Sequence, residues 1–348
     1  MDDSFEDSTI AALNKHNYDI YVSQSTEDRE SVLDAIRQGD FDGLVGTSSS
    51  KLAVMTEGYC RSQQSFETFK PLLHDLWYGY YQGGRHPSHS SAEQDRLAFH
   101  ILRARGMGAL TKRARNGSIE TAVTLDGVAW EDLPFFVSDM TDFWFNDCAC
   151  MEAAHRLNFA SFLAKLASTG LCNDKLCRIA LLVLRETFET VRPLGSVSSS
   201  ADANAEATMG DLTISDLLPA ACAWIREAGR KIVQLSDVFW NDCPGMTGGY
   251  GATFTASELG RGLSSSSGFS PQRWMYWLKR LDEIAEEANQ AGESSVAEIA
   301  SEAIDFMLSR VEETDSFVLK EFEAAADDFI GDKNRFSVRH LSSLDEES

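Results

Sequence analysis

Apolar side chains recur every three or four positions along most of the chain, which is the pattern of amphipathic α-helices. The spacing predicts helices over residues 26–38, 65–82 and about 215–235, each with one apolar face. Further helices are expected to begin at or beside residues suited to a first turn, namely Ser91, Pro134, Asn173, Ser270 and Ser295. Strict alternation of apolar and polar residues, which marks half-buried strands, is almost absent. The sequence therefore predicts an all-α protein, an irregular array of many helices with no significant sheet.

Length and composition set the expected domain organisation. A chain of 348 residues with 43% apolar residues is long enough to bury a large core. We expect a helical N-terminal extension over residues 1–63, one main α-helical domain over 64–330 and an acidic tail over 331–348. Two segments of the main domain, 195–210 and 241–268, are rich in small polar residues or glycine, so we expect them to be exposed loops.

The charge of the chain restricts its partners. It has 54 acidic and 31 basic residues, a formal net charge of −23, so its overall field repels phosphate backbones and anionic lipid surfaces. No nucleic-acid partner is therefore expected. Residues 1–7 show neither the basic nor the apolar region of a secretory signal, and no apolar run is long enough to span a bilayer. These features predict no membrane partner and a location in the cytoplasm, with the nucleus as the alternative.

The most specific local pattern is the helix start in residues 268–278, which follows the glycine-rich loop. Ser270 is suited to cap this helix, because its hydroxyl can accept from a free amide of the first turn, and a proline fits the next position. Trp274 and Trp277 fall on the apolar stripe and are predicted to be buried, whereas Arg273 falls on another face. The block therefore predicts an amphipathic helix docked on a core.

Several short blocks, taken in chain order, resemble a known family. They are Leu76-Trp77, Asp95-Arg96-Leu97, Trp130-Glu131-Asp132-Leu133-Pro134, residues 158–166, Ala221-Cys222-Ala223-Trp224-Ile225, and Gly268-Phe269-Ser270 with Arg273, Trp274 and Trp277. Over roughly residues 70–290 the chain is similar to the fungal family known as domain of unknown function 3632. The resemblance implies an intracellular, all-helical fungal protein. It implies no assigned activity, so no catalytic residue is transferred to this sequence.

The residues that most often bind metals do not form a standard site. Cys148, Cys150 and His155 are close in sequence, but their spacing matches no zinc module, and His86 with His89 lacks a second pair of ligands. The seven cysteines include no Cys-x-x-Cys pair, which favours reduced thiols. We therefore expect no metal and no cofactor. Nucleophile signatures such as Gly-x-Ser-x-Gly are absent as well, so catalytic residues stay unassigned.

The glycine-rich loop and the helix after it form one speculative ligand site. Residues 245–251 resemble a phosphate cradle, but they follow a helix and lack the Gly-Lys-Ser/Thr ending of a P-loop. Free amides at the start of the next helix and a nearby arginine would favour an anion. The residues of this speculative site are Gly248, Gly249, Ser270, Arg273, Trp274 and Trp277. In the alternative, which we favour, Arg273 pairs with an acidic neighbour and only holds the helix in place.

A basic stretch is the second candidate for contact with an anion. It covers residues 103–115 and contains Arg103, Arg105, Lys112, Arg113 and Arg115 with no acidic residue between them. In so acidic a protein we expect it to meet a neighbouring acidic face, and less often an anionic ligand.

Two classes of function are consistent with these patterns. The first, which we favour, is a non-catalytic protein-interaction or scaffold module, because acidic helical surfaces without convergent polar residues suit protein partners. The second is an enzyme or small-molecule binder with a pocket between helices near the glycine-rich loop and the Trp274 to Trp277 turn. A cavity lined by ionisable groups would favour the binder, and a filled core would favour the interaction module. The oligomeric state and any specific partner are left open.

Overall fold

The computed structural model of the protein describes residues 3–195, 207–242, 251–261, 267–314 and 316–318. These residues contain eleven α-helices and two short antiparallel β-hairpins, so the all-α prediction is confirmed. The chain divides into two compact units, Met1–Cys148 and Ala149–Ser348. The single main domain expected over 64–330 stays a prediction, and the expected acidic tail over 331–348 lies outside the described residues.

The first unit has five α-helices within its described residues. They are α1 (Asp3–Gln38), α2 (Phe41–Arg61), α3 (Lys70–Arg85), α4 (Ala92–Arg105) and α5 (Phe136–Asp147). The pattern of apolar residues predicts only the last part of α1 and does not predict α2. The glycines and the serine run of α2 weaken its helix propensity. Its buried residues nevertheless recur at helical spacing and include Leu44, Leu52, Met55 and Tyr59.

α3 continues beyond the end predicted at residue 82. Gly83 lies inside the helix, which ends at Arg85. A Cβ on Gly83 would lie 2.8 Å from Leu44 Cδ2 and 3.0 Å from Leu97 Cδ1. This glycine therefore lets α2 and α4 pack closely on α3 instead of ending the helix.

Two hairpins lie between α4 and α5 in the chain. β1 (Thr111–Arg113) pairs with β2 (Ile119–Thr121), and β3 (Val123–Thr124) pairs with β4 (Gly127–Val128), both in antiparallel register. Sequence analysis did not find these strands, because two or three residues are too few to establish an alternating pattern.

The core of the first unit is rich in aromatic residues. Trp77 is fully enclosed, its ring centroid lies 5.0 Å from that of Phe136, and its indole N–H donates to the Pro134 carbonyl at 2.8 Å. Pro134 was predicted in the first turn of α5, and this was wrong: the helix begins at Phe136 after a left-handed Phe135. The carbonyl of Pro134 accepts the indole bond from outside the helix.

The second unit has six α-helices within its described residues. They are α6 (Ala153–Ser168), α7 (Cys177–Phe188), α8 (Ile214–Asp237), α9 (Ala252–Ala256), α10 (Pro271–Ala291) and α11 (Ser294–Thr314). The helix predicted over about 215–235 is confirmed as α8, which Thr213 caps by accepting from the Asp216 amide. The cap predicted at Asn173 was wrong: Asn173 has a left-handed φ of 54°, and α7 begins later, at Cys177. Ser295 lies inside α11 and does not cap it.

Candidate functional site

The start of α10 has the geometry that its sequence predicts. Ser270 caps the helix, because its Oγ accepts from the Arg273 amide at 3.1 Å, and a proline follows at the first helical position. Phe269, which precedes the cap, packs its ring at 6.1 Å from Trp277 and at 6.0 Å from Trp240. The predicted amphipathic helix start is confirmed.

Helical spacing places Arg273 off the apolar stripe of α10, but its side chain lies in the interior. Its side chain is 1% exposed, and the side chain of its ion-pair partner Glu189 is 0% exposed. Arg273 Nε donates to Glu189 Oε1 at 2.7 Å, and Nη2 donates to Oε2 at 3.3 Å. Nη1 donates to the Gly268 carbonyl, which lies before the cap Ser270. The guanidinium therefore bonds both to the Glu189 carboxylate and to the backbone that precedes α10. Two parallel bonds between a guanidinium and a carboxylate fix both distance and orientation.

Trp277 completes the same group of contacts. Its indole N–H donates to Glu189 Oε1 at 2.8 Å, so this carboxylate accepts three hydrogen bonds from α10. We name Glu189, Arg273 and Trp277 the Glu189 clasp. Trp277 is 0% exposed and Trp274 is 1% exposed, which confirms that both tryptophans are buried. The clasp therefore joins the residue that follows α7 to the first two turns of α10.

α9 and the residue before it close over the clasp. Gly251 has a φ of +89°, and a Cβ there would lie 2.4 Å from Glu189 Oε2. The Thr253 amide donates to the Glu189 carbonyl at 3.4 Å, and the Phe254 ring centroid lies 4.4 Å from the Arg273 guanidinium carbon. Charge on the arginine therefore faces an aromatic ring on one side and a carboxylate on the other, which compensates for its loss of water.

Burial also acts on the tyrosine that holds α9 to α10. Tyr276 donates its hydroxyl hydrogen to Thr253 Oγ1 at 2.8 Å. Desolvation raises the pKa of Tyr276 above its usual value of 10.0. The protonated hydroxyl therefore acts as a hydrogen-bond donor to α9.

The structure brings together four of the six residues of the speculative ligand site. Ser270, Arg273, Trp274 and Trp277 lie in one buried cluster, whereas residues 248 and 249, both glycines, are outside the described residues. Ligand binding by this set stays a prediction. The clasp shows that Glu189 is the acidic neighbour of Arg273.

Sequence analysis missed Glu189, Gly251 and Phe254. One signal was available, since Glu189 follows directly on the buried helix α7, where an acidic side chain needs a partner. Nothing in the local pattern names that partner, which lies 84 residues away.

The other candidate residues do not gather into a metal site. In the described parts of the chain, no group of three or more His, Cys, Asp or Glu side chains is arranged to hold a metal ion. Cys148, Cys172 and Cys177 are buried, whereas Cys150 is exposed.

The basic stretch 103–115 is divided among different surroundings. Lys112 lies with its Nζ 4.0 Å from the centroid of the Tyr59 ring, donates to the Gln64 carbonyl at 3.0 Å and is 3.9 Å from a Glu120 carboxylate oxygen. Across the described residues, Arg103 and Arg113 form no such pair with a carboxylate. An acidic neighbour is thus present for Lys112, whereas Arg105, like Arg103 and Arg113, forms no ion pair in the described part of the chain.

Comparison with known proteins gives two similarities and one negative result. The profile of a family described as Protein of unknown function (DUF3632) matches residues 77–281. The chain is 38% identical over 348 residues to "Oxopyrrolidines biosynthesis cluster protein G" of Penicillium oxalicum, a match that covers 99% of this chain and 96% of the relative. No solved structure matches. In addition, none of the helices in the described residues is long and apolar enough to cross a membrane.

Proposed function

Because the chain belongs to the family of proteins of unknown function DUF3632, we propose its function from its own surface: it is a non-catalytic protein-interaction module. The observation that carries this proposal is a set of exposed apolar side chains on the hairpins of the first unit. We define the hairpin strip as Ile119, Val123 and Leu125, whose exposed fractions are 74%, 54% and 93%. Large apolar side chains gathered in solvent are typical of surfaces that bind partners.

The backbone of the hairpins holds the strip outward. Ala122 and Thr124 are buried, so Val123 points away from the unit in the alternation of an extended chain, and Leu125 lies exposed in the turn between β3 and β4. The Ala122 amide donates to the Leu110 carbonyl at 2.8 Å, which fixes the segment between the two hairpins. A strip that is ordered before binding loses little conformational entropy when a partner covers it.

Charge beside the strip indicates the chemistry of the partner. Arg113 faces Ile119 across the β1–β2 ladder and is exposed. Arg113 is the local cation beside these apolar side chains, so it selects a protein segment that carries apolar residues next to a carboxylate, although the net charge of −23 repels strongly anionic partners. The same net charge disfavours nucleic acid as the partner.

The Glu189 clasp supports the non-catalytic part of the proposal. Its carboxylate, guanidinium and indole N–H bond to one another or to the backbone, and all three side chains are enclosed. Groups used in this way stabilise a fold and are not available to a substrate. The alternative, an enzyme or small-molecule binder near the glycine-rich loop, depends on residues 243–250, which are outside the described residues.

The similarity to a named relative suggests where such a module would act. The name of that relative assigns it to an oxopyrrolidines biosynthesis cluster. By extension, we propose that the partner of this chain is a protein of small-molecule biosynthesis, met in the cytoplasm, with the nucleus as the alternative.

Site-specific photo-crosslinking tests the proposal. The full chain is expressed in its native host with a benzophenone amino acid at Leu125, or at Val191, an equally exposed control position in the second unit. We expect a discrete adduct from the Leu125 position that disappears when Ile119→Ser and Val123→Ser are added. No adduct at Leu125, or the same adduct from Val191, would contradict a partner at the strip. Turnover of a metabolite by the purified chain would contradict the non-catalytic part.

A further inference from the structure

A cleft lies between α2 and α4 in the first unit. Its volume is about 340 Å³. Pockets for small organic molecules begin at about 300 Å³, so the cleft has room for one small ligand. One wall is apolar and consists of Leu52, Ala53, Ala104 and Met107. This wall would contact the apolar body of a ligand.

The charge of the cleft comes from Arg103. Arg103 lines the cleft and, across the described residues, forms no ion pair with a carboxylate. Two cations on the same helices are paired by contrast, Arg96 with Asp42 at 2.9 Å and Lys51 with Asp28 at 2.9 Å. Arg103 is therefore a planar, bidentate donor that can take up a carboxylate from outside.

A hydroxyl on the opposite helix provides a second donor. The indole N–H of Trp130 donates to Thr56 Oγ1 at 3.1 Å, so this oxygen acts as an acceptor on its protein side. Indole nitrogen cannot accept, and the Thr56 proton has no acceptor in the described part of the chain. Thr56 also lines the cleft, so its O–H can donate to a ligand there.

The imidazole of His100 is fixed beside these donors and does not add a second charge. Its Nδ1 is bonded to the hydroxyl of Tyr80, which is 1% exposed, and its Nε2 lies 2.8 Å from Ser49 Oγ. Desolvation, and then the nearby Arg103 charge, lower the pKa of His100 below its usual 6.5, which keeps the ring neutral at pH 7. Arg103 is therefore the residue of the cleft lining that carries a positive charge at pH 7.

The remaining charge of the cleft limits how much negative charge a ligand can carry. Glu57 lines the cleft, and its partner Arg61, at 3.2 Å, is not among the residues that line it. A phosphate dianion would be repelled by this carboxylate and would exceed the single charge of Arg103. We propose that the α2–α4 cleft binds a small organic monocarboxylate with an apolar body, with Arg103 and Thr56 donating to the carboxylate. This site is separate from the hairpin strip and does not depend on it.

Calorimetry on the full chain tests the proposal. The probes are 4-phenylbutyrate and decanoate, with 4-phenylbutyramide as the neutral match and phenyl phosphate as the dianion. We expect at least one carboxylate to bind, and the amide and the phosphate to bind about tenfold more weakly or not at all. Arg103→Gln should weaken carboxylate binding by about tenfold or more, and Thr56→Val by about threefold. The matched control is Arg105→Gln, an exposed arginine on the same helix outside the cleft, which should leave binding unchanged.

The NMR signal of the Met107 methyl group reports whether the ligand binds in the cleft. Met107 lines the cleft and is 51% exposed, whereas Met140 is 0% exposed in the core. In the chain labelled with ¹³C-methyl methionine, the carboxylate should shift the Met107 signal and leave that of Met140 in place. The proposal is overturned if neither carboxylate binds the parent chain, if Arg103→Gln binds as well as the parent does, or if the Met107 signal does not respond.

Discussion

Glu189 and Arg273 form an ion pair from which solvent is excluded, although they are 84 residues apart in sequence. Both carboxylate oxygens accept from the guanidinium, at 2.7 Å and 3.3 Å. A buried pair of this kind contributes little net stability compared with an apolar pair of equal volume, but loss of one partner leaves an uncompensated charge in the interior. The fold of the second unit therefore depends on both residues being present.

Removal of the arginine charge should be strongly destabilising. We expect Arg273→Met to lower the free energy of unfolding by about 3–5 kcal/mol, because the Glu189 carboxylate stays buried without its cation. The control is Arg280→Met on the same helix, since Arg280 pairs with Glu283 but is 25% exposed. That change should cost about 0.5 kcal/mol or less. Urea unfolding followed by circular dichroism measures both, and equal effects would contradict the account.

The hydrogen bond from the Trp277 indole N–H should make a measurable contribution to the free energy of unfolding. Trp277→Ala should cost about 3–5 kcal/mol through lost packing. Trp277→Phe keeps most of the ring but loses a hydrogen bond to a charged group, which should add about 1.5–3 kcal/mol to the cost of the smaller ring. Trp224→Phe is the matched control, because Trp224 is equally enclosed and its indole nitrogen has no partner in the described structure. Unfolding free energies that fall by the same amount in the two Phe variants would exclude a contribution from the Trp277 bond.

Alanine substitutions at two glycines with positive φ distinguish the cost of backbone strain from the cost of crowding by an added Cβ. Gly251 has a φ of +89° and lies against the Glu189 carboxylate, whereas Gly292 has a φ of +78° and nothing within 4 Å of an added Cβ. Gly292→Ala should lower the free energy of unfolding by about 1–2 kcal/mol, because alanine is strained in the left-handed conformation. Gly251→Ala should cost more than this, because its methyl group must also displace the carboxylate from Arg273. Thermal unfolding of both variants tests the order, and a smaller effect at Gly251 would show that the clasp tolerates displacement.

His100 should make stability dependent on pH below neutrality. Its folded pKa is lower than its usual 6.5, first through burial and then through Arg103. Tyr80 from α3, Ser49 from α2 and, along the same cleft, Glu57 are the other groups around the ring. Because the unfolded chain binds the proton more tightly, this contribution is present above pH 6.5 and is lost as the pH falls through the folded pKa.

A variant without the imidazole isolates that contribution. Unfolding free energies of the parent and of His100→Gln are compared at about pH 7.5 and about pH 5.5, on either side of the ordinary histidine pKa. The parent should lose more stability than the variant over this interval. The reverse order would mean that the folded protein holds the proton on His100 more tightly than the unfolded chain does.

Local patterns were sufficient to predict α10 but not its surroundings. The cap at Ser270 and the buried stripe of Trp274 and Trp277 follow from residues within two turns of one another, and all three are confirmed. The spacing places Arg273 off the apolar stripe, and an acidic partner is expected for it, but neither pattern predicts that the pair is buried. The burial of Arg273 depends on Glu189, which the fold brings close from another helix end, so no window of local sequence contains the reason.

Neither the hairpin strip nor the α2–α4 cleft could be predicted from local sequence patterns, because the hairpin strands and α2 were not predicted. α2 itself was missed, so no cleft between α2 and α4 could be predicted. The close approach of α2 and α4 to α3 depends on Gly83, which by itself indicates a helix end. The strip depends on strands of two or three residues, whose alternation becomes visible only when the exposure of Val123 and the burial of Thr124 are known.

A double-mutant cycle between Glu189 and Arg273 tests most directly the claim that the Glu189 clasp holds the second unit together. Unfolding free energies are measured for the parent, Glu189→Gln, Arg273→Met and the double variant. The buried geometry predicts a coupling energy of about 2–3 kcal/mol, with the double variant far less destabilised than the sum of the single changes. A coupling within about 0.5 kcal/mol of zero, the additive behaviour of independent sites, would contradict the account.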